Sequence, residues 1–182
     1  MRDMTAANLR SAYGGESMAH MRYKIWGEKA SKDGFPNVAR LFHAISYAEQ
    51  RHSTNHFIEL GRVEGDFLCN SMAVFGLGET SENLQGGIDG ETFEIEEMYP
   101  AYLDVAKMQE ESGAARSFHY AYSTEKIHAA MFRKAKESVD AGRDVALGSV
   151  HICEVCGYTA EGDVPDRCPL CNASKDQFRS FE

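Results

Sequence analysis

Four of the five cysteines fall in the last 30 residues, as Cys153-Glu154-Val155-Cys156 and Cys168-Pro169-Leu170-Cys171, two Cys-x-x-Cys turns separated by 11 residues. Paired turns of this spacing offer four thiolates in a tetrahedral array, suited to zinc or to a single iron. Gly157, after the first turn, lets backbone N–H groups face the sulfurs; Asn172 follows the second turn, and Asn tolerates the left-handed conformation. A secreted disulfide protein would spread its cysteines, so this crowding predicts a metal-bearing tail on a globular body in a reducing compartment. Cys69 stands alone and reads as a packed or surface thiol.

The remainder is read as long helices. Leu9, Ala12, Tyr13, Glu16, Ala19, Tyr23 and Trp26 recur at spacings of three and four, predicting a helix over about 5–32. Asp33-Gly34-Phe35-Pro36 is a turn, and a second helix follows over about 37–60. The glycine-rich stretch over about 62–89 reads as a crossover. Third and fourth helices are expected over about 90–111 and 114–140. The whole predicts an all-α four-helix, ferritin-like bundle over 1–142 with a long crossover, a linker over 143–150, and a small metal-binding domain over 151–182.

Two of these helices carry the same chemistry, Glu49-x-x-His52 and Glu125-x-x-His128. Residues three apart on a helix share a face, so each carboxylate and imidazole can reach one point. Glu16, on the first helix, and Glu94 with Glu97, on the third, fall at similar heights when measured from the two hairpin turns at a rise of about 1.5 Å per residue. Five carboxylates and two imidazoles thus converge near mid-height, and an apolar core tolerates such a cluster only with cations. Oxygen-rich ligation with one imidazole per metal suits two irons or two manganese ions. Glu91 and Glu96 are expected to face solvent. His20, His43, His56 and His119 are given ordinary hydrogen-bonding roles, and Tyr23 and Tyr99 are placed near the carboxylates, as core packing or as hydrogen-bond donors to a ligand.

With 19 basic against 28 acidic side chains, the net charge of −9 argues against nucleic acid and anionic membranes. No apolar run approaches the roughly 18 residues of a membrane span, and Met1-Arg2-Asp3-Met4-Thr5 lacks the apolar core of a signal peptide, so a cytoplasmic protein is expected.

The segment Cys-x-x-Cys-Gly-Tyr followed by Cys-Pro-x-Cys, with Lys175 and Phe178, resembles rubredoxin. Gly15-Glu16-Ser17, Glu49-x-x-His52, Glu94-x-x-Glu97-Met98-Tyr99-Pro100 and Glu125-x-x-His128 resemble the bundle of the rubrerythrin family, in the same order along the chain. The resemblance implies a non-haem di-iron peroxidase that reduces hydrogen peroxide to water and protects against oxidative stress. It implies one iron held by Cys153, Cys156, Cys168 and Cys171, which relays electrons to the bundle. Glu16, Glu49 and Glu97 would serve one iron of the bundle, with His52 replacing Glu97 on reduction. Glu94, Glu125 and His128 would serve the other, and Glu49 and Glu125 would bridge. Rubredoxin or a separate NAD(P)H-dependent reductase would supply electrons. A homodimer would set each rubredoxin-like unit beside its partner's site, head to tail or by domain swapping. A ferroxidase on the same dimetal site and a helical scaffold with a structural zinc ribbon are the competing readings.

Overall fold

The computed structural model describes residues 1–61 and 63–182. Helix α1 (Asp3–Lys32) and helix α2 (Pro36–Leu60) form an antiparallel hairpin. Gly34 takes a φ of 90° in the turn, and Pro36 opens α2 where its missing N–H costs nothing. Helix α3 (Thr80–Phe93) runs into a π-helical turn (Glu94–Met98) and then helix α4 (Tyr99–Met108). Helix α5 (Ser112–Asp140) completes the bundle.

The crossover is shorter than the sequence predicts. The boundary expected at Arg62 lies outside the described residues, but α3 starts at Thr80, ten residues before the expected Gly90. Glu79 and Glu82 close a reciprocal capping box there, a start signal that the glycines downstream obscured. Those glycines are helical because neighbours crowd them. A Cβ on Gly86 would lie 2.9 Å from the Trp26 ring, and one on Gly87 would lie 3.0 Å from Phe132. Tertiary packing here overrides a poor helix propensity. The rest of the crossover lies along α1, with Trp26 Nε1 donating to the Gly76 carbonyl at 2.9 Å and Ser11 Oγ to that of Asn70 at 2.7 Å.

The expected third helix is interrupted at Pro100. Proline has no N–H to donate to the carbonyl four residues back, and the wide turn immediately before it absorbs the break, with the Tyr99 N–H reaching the Glu94 carbonyl.

Two apolar clusters fill the bundle. One gathers Tyr23, Trp26, Phe42, Leu84 and Phe132, and the other Leu9, Tyr99, Leu103 and Phe118. Between them runs a buried polar layer: on α1 it lies between Ala12 and Ala19, on α2 between Ala48 and Leu60, on α3 and the π-turn between Ile88 and Met98, and on α5 between Ala121 and Ala129.

After α5 the chain turns back along α2. The Asp144 carboxylate accepts from the N–H groups of Asn37 and Val38 at 2.8 and 3.2 Å, satisfying free donors at the start of α2. Asn37 Nδ2 donates to the Val145 carbonyl, and Arg40 to that of Leu147. The connection is therefore pinned to the bundle. Strands β1 (Val150–Cys153), β2 (Thr159–Glu161) and β3 (Phe178–Phe181) form an antiparallel sheet in the order β2-β1-β3. This sheet packs along α2 and α5 of its own chain. The resemblance implied a seat on a partner's bundle, whereas the contact described here is formed within one chain.

Candidate dimetal and four-cysteine centres

In the polar layer, α1 contributes Glu16, α2 Glu49 and His52, α3 Glu91, and α5 Glu125 and His128, all at most 1% exposed. They fall into two groups, Glu16, Glu49, His52 and Glu125, and Glu49, Glu91, Glu125 and His128. Within each group the donor atoms lie within 4.8 Å of one another. Glu49 and Glu125 belong to both groups. His52 Nδ1 lies 2.9 Å from one oxygen of Glu49 and 2.9 Å from one of Glu125, and His128 Nδ1 lies 3.0 and 2.7 Å from the remaining oxygens of the same two carboxylates. Each of these carboxylates thus spans both histidines, as a bridging ligand must.

Electrostatics define the difficulty such a layer poses. Burial, then Glu94 and Glu49, push Glu16 well above the usual carboxylate range, and Glu91 and Glu94 are raised for the same kind of reason. Burial opposes a charged imidazole at His52 and His128, but Glu125 and Glu49 outweigh it and lift both to about 10. Burial likewise raises Glu125, and the two histidines more than reverse this. Even so, among the described residues Glu16 Oε2 and Glu91 Oε2 have no hydrogen-bond partner, and the oxygens of Glu49 and Glu125 face only the two imidazoles. Buried lone pairs converging without donors are destabilising by themselves and fit a pair of cations. The donor set, mostly carboxylate oxygen with one imidazole per group, is of the di-iron type.

The third-helix carboxylates sit one turn away from the expected register. Glu97, predicted as a ligand, is exposed, and Glu91, predicted to face solvent, is buried in the layer. Glu94 lies close enough to raise Glu16 and to be raised by Glu91, although it stands outside the two tight groups. The π-turn contributes to the offset. It fits an extra residue between the layer and the hairpin turn and rotates the helical phase of the residues before it, so counting back at a constant rise does not identify which carboxylates face the layer. The usable signal was Pro100 inside an apparently continuous helix.

Both tyrosines meet carboxylates. Tyr23 donates to Glu91 Oε1 at 2.7 Å, and Tyr99 donates to Glu16 Oε1. His56, 0% exposed, takes no part in either donor group and contacts Tyr99 and Ser117 instead.

In the tail, Cys153, Cys156 and Cys168 are buried and Cys171 is partly exposed. The Cys153–Cys171 and Cys156–Cys168 sulfur pairs are 3.6 Å apart, close to the roughly 3.8 Å edge of a tetrahedron with about 2.3 Å metal–sulfur bonds. Backbone N–H groups of Val155 and Cys156 reach the Cys153 sulfur, which together with the Cys156 thiol draw Cys153 down to about 5. Gly157 and Asn172 hold φ of 83° and 63°, so both turns use the left-handed conformation. The four-cysteine site is of the rubredoxin type.

The two centres are adjacent. A Cβ on Gly157 would fall 2.3 Å from His52 Nε2, so the backbone beside Cys156 rests on the outer edge of that imidazole. His128 Nε2 lies 2.8 Å from Thr159 Oγ1, and Thr159 in turn donates to the Gly157 carbonyl at 3.2 Å. With Nε2–H donated to Thr159, His128 keeps its Nδ1 lone pair for the carboxylate side. Tyr120 of α5 packs against the cysteines.

Comparisons with known proteins agree with this architecture. The rubrerythrin family model matches residues 7–136, and the model of the rubrerythrin rubredoxin-like domain matches residues 151–179. Rubrerythrin-2 of Clostridium acetobutylicum is 51% identical over 178 residues, covering 98% of this chain and 97% of that protein. Nigerythrin of Nitratidesulfovibrio vulgaris is 31% identical, covering 97% of this chain and 86% of its own. A solved structure of nigerythrin in its fully reduced, all-ferrous state superposes with a TM-score of 0.84 over the same shares of the two chains. With both of its parts matched in order along nearly its whole length, the chain belongs to the rubrerythrin family.

Proposed function

We propose that the chain reduces hydrogen peroxide to two waters at the polar layer, with electrons arriving singly through the four-cysteine site: H2O2 + 2 e⁻ + 2 H⁺ → 2 H2O. The observation that carries this reading is the seating of the four-cysteine turn on His52 and His128 through Gly157 and Thr159. An electron-relay centre built against a dimetal layer supplies electrons to it, which a site fed by its own oxidisable substrate does not need. Two irons held by Glu16, Glu49, His52, Glu91, Glu125 and His128, with Glu94 adjacent, would each give one electron to the O–O bond, so that no hydroxyl radical is released.

The protein groups do the rest. Glu49 and Glu125 hold the two positions together, each spanning both histidines. Glu94, rather than Glu97, is the spare carboxylate available to exchange with His52 as the charge of the site changes, because it neighbours Glu16 in the layer. Tyr23 and Tyr99 hold hydroxyl protons against Glu91 and Glu16, where product oxygen needs protons. The apolar clusters on both sides keep the layer dry.

Electrons are expected from rubredoxin or from a separate NAD(P)H-dependent reductase, docking where Cys171 and Val155 reach solvent. Phe57, Ile58, Leu68, Met72 and Phe75 are exposed on the α2 and crossover side, which supports a homodimer. No helix among the described residues is long and apolar enough to cross a membrane. The four clustered cysteines, spaced to share one metal rather than to pair as disulfides, support work in a reducing compartment.

Metal analysis of anaerobically purified protein tests the reading. About three irons per chain are expected, with a red colour that bleaches on reduction and returns with peroxide. Zinc in the tail with an empty bundle would overturn it. Faster oxidation of added ferrous iron by the loaded bundle than oxidation of the reduced four-cysteine iron by peroxide would favour a ferroxidase instead.

A further inference from the structure

The most unusual polar group outside the two centres is His56. It is 0% exposed, on α2 one turn beyond His52, with its ring against Tyr99 and Phe118 at centroid distances of 5.9 and 5.4 Å. Both of its nitrogens are engaged: Nδ1 lies 2.8 Å from Ser117 Oγ and Nε2 lies 3.0 Å from the Tyr99 hydroxyl. Ser117 is itself 2% exposed. The contacts form one buried line, Ser117–His56–Tyr99–Glu16, crossing from α5 through α2 and α4 to α1.

Donor and acceptor counting fixes the direction of this line once Glu16 is an ionised ligand. A carboxylate only accepts, so Tyr99 donates to Glu16, and its oxygen is left to accept. Burial holds His56 near 3, far below neutrality, so the ring has one N–H and one lone pair. The N–H must therefore sit on Nε2, and Nδ1 must accept from the Ser117 hydroxyl. Three donors in series then point at Glu16, each polarising the next. A leucine of similar volume would fill the same space without any of this, and an imidazole buried against Phe118 gains nothing from packing alone.

We propose that His56 is a positioning residue of the peroxide reaction: held by Ser117 in a single tautomer, it fixes the Tyr99 hydroxyl on Glu16, and so sets the orientation and charge of that carboxylate. The proposal rests on the reading of the layer as a dimetal redox site, but its first test needs no turnover.

Nitrogen-15 NMR of protein loaded with zinc, a diamagnetic stand-in, reads the His56 tautomer directly. The expected result is a neutral ring protonated at Nε2 and unchanged from pH 6 to 8. A ring protonated at Nδ1, or one that becomes charged in that range, overturns the proposal even if peroxide reduction is confirmed. In the iron-loaded enzyme, His56→Leu should slow peroxide-driven reoxidation about tenfold, whereas His56→Gln should recover to within about threefold, because its amide both donates to Tyr99 and accepts from Ser117. The reverse order, with Leu the better replacement, would show a packing role and overturn it. In a Tyr99→Phe background, His56→Leu should add less than twofold, since the residue acts through that hydroxyl. A full tenfold loss there would refute the route. If His56→Leu does not fold, the tautomer and the Gln variant still decide. A protein with the expected tautomer but no reaction with peroxide would contradict the functional reading and leave this geometry standing.

Discussion

The four-cysteine unit and the polar layer of the bundle are both metal-binding sites, yet the chain builds them by opposite means. All four cysteines lie within 19 residues, on two tight turns whose left-handed residues, Gly157 and Asn172, are fixed by local geometry. The layer draws its ligands from Glu16 to His128, across four helices whose relative heights depend on every turn between them. A local site tolerates changes elsewhere in the chain, whereas a distributed site fails whenever a helix slips by one residue. The difference predicts which substitutions propagate from one centre to the other.

The sharpest break should come from Glu125, which belongs to both donor groups. Glu125→Ala is expected to empty the bundle of both metals while the four-cysteine colour persists, with peroxide reduction lower on the order of a thousandfold. Cys156→Ser should give the mirror image: a loaded bundle, no visible band, and turnover lost only when electrons come from an external donor. Metal content per chain and donor-driven rates check both. Loss of the two centres together in either variant would contradict their independence.

Gly157 joins the regions, and replacing it should disconnect them. Gly157→Val meets His52 and costs a further ~1–2 kcal/mol for a side chain in the left-handed region. Both centres should still load, while electron transfer between them slows by at least about tenfold, or ~1.4 kcal/mol in barrier. Rapid-mixing spectroscopy at the visible band measures this step.

A finer comparison separates two adjacent acids. Glu94→Ala should slow peroxide-driven reoxidation by about 10–100-fold, as loss of a group that tunes a metal site does. Glu97→Ala, at an exposed position, should stay within about twofold of the parent. The opposite ranking would restore the register that the helix periodicity implied.

The smallest effect is on the metal-free protein. His52 and His128, lifted to about 10 by Glu125 and Glu49 against burial, hold protons that the unfolded chain releases near pH 6.5. That stabilisation is complete below pH 6.5 and is lost as pH rises towards 10. Thermal unfolding should therefore fall by about 4–8 °C for each ~2 kcal/mol lost between pH 6.5 and 9.5. Metal-loaded protein, whose imidazoles are already deprotonated, should show little of this slope.

The same contrast explains what was legible without coordinates. The cysteine turns, the two Glu-x-x-His pairs and Glu16 are readable because spacing within one element is set by chain geometry. Glu91 was not, because its level depends on a π-turn and on Pro100 downstream of it. Nor was the start of α3, since Gly86 and Gly87 read as a loop until Trp26 and Phe132 are seen to need their space. The polar line through His56 and Ser117 joins α2 to α5, and nothing in either stretch alone announces the pairing.

The central claim is that electrons stored on the four cysteines reach peroxide only through the bundle. Stopped-flow mixing of fully reduced protein with peroxide, followed at the visible band of the four-cysteine iron, tests it most directly. The band should return rapidly in the parent chain and fail to return on that timescale in Glu125→Ala, whose cysteine site is intact. Equally fast return in both would show that peroxide oxidises the tail without the bundle, and would contradict the account.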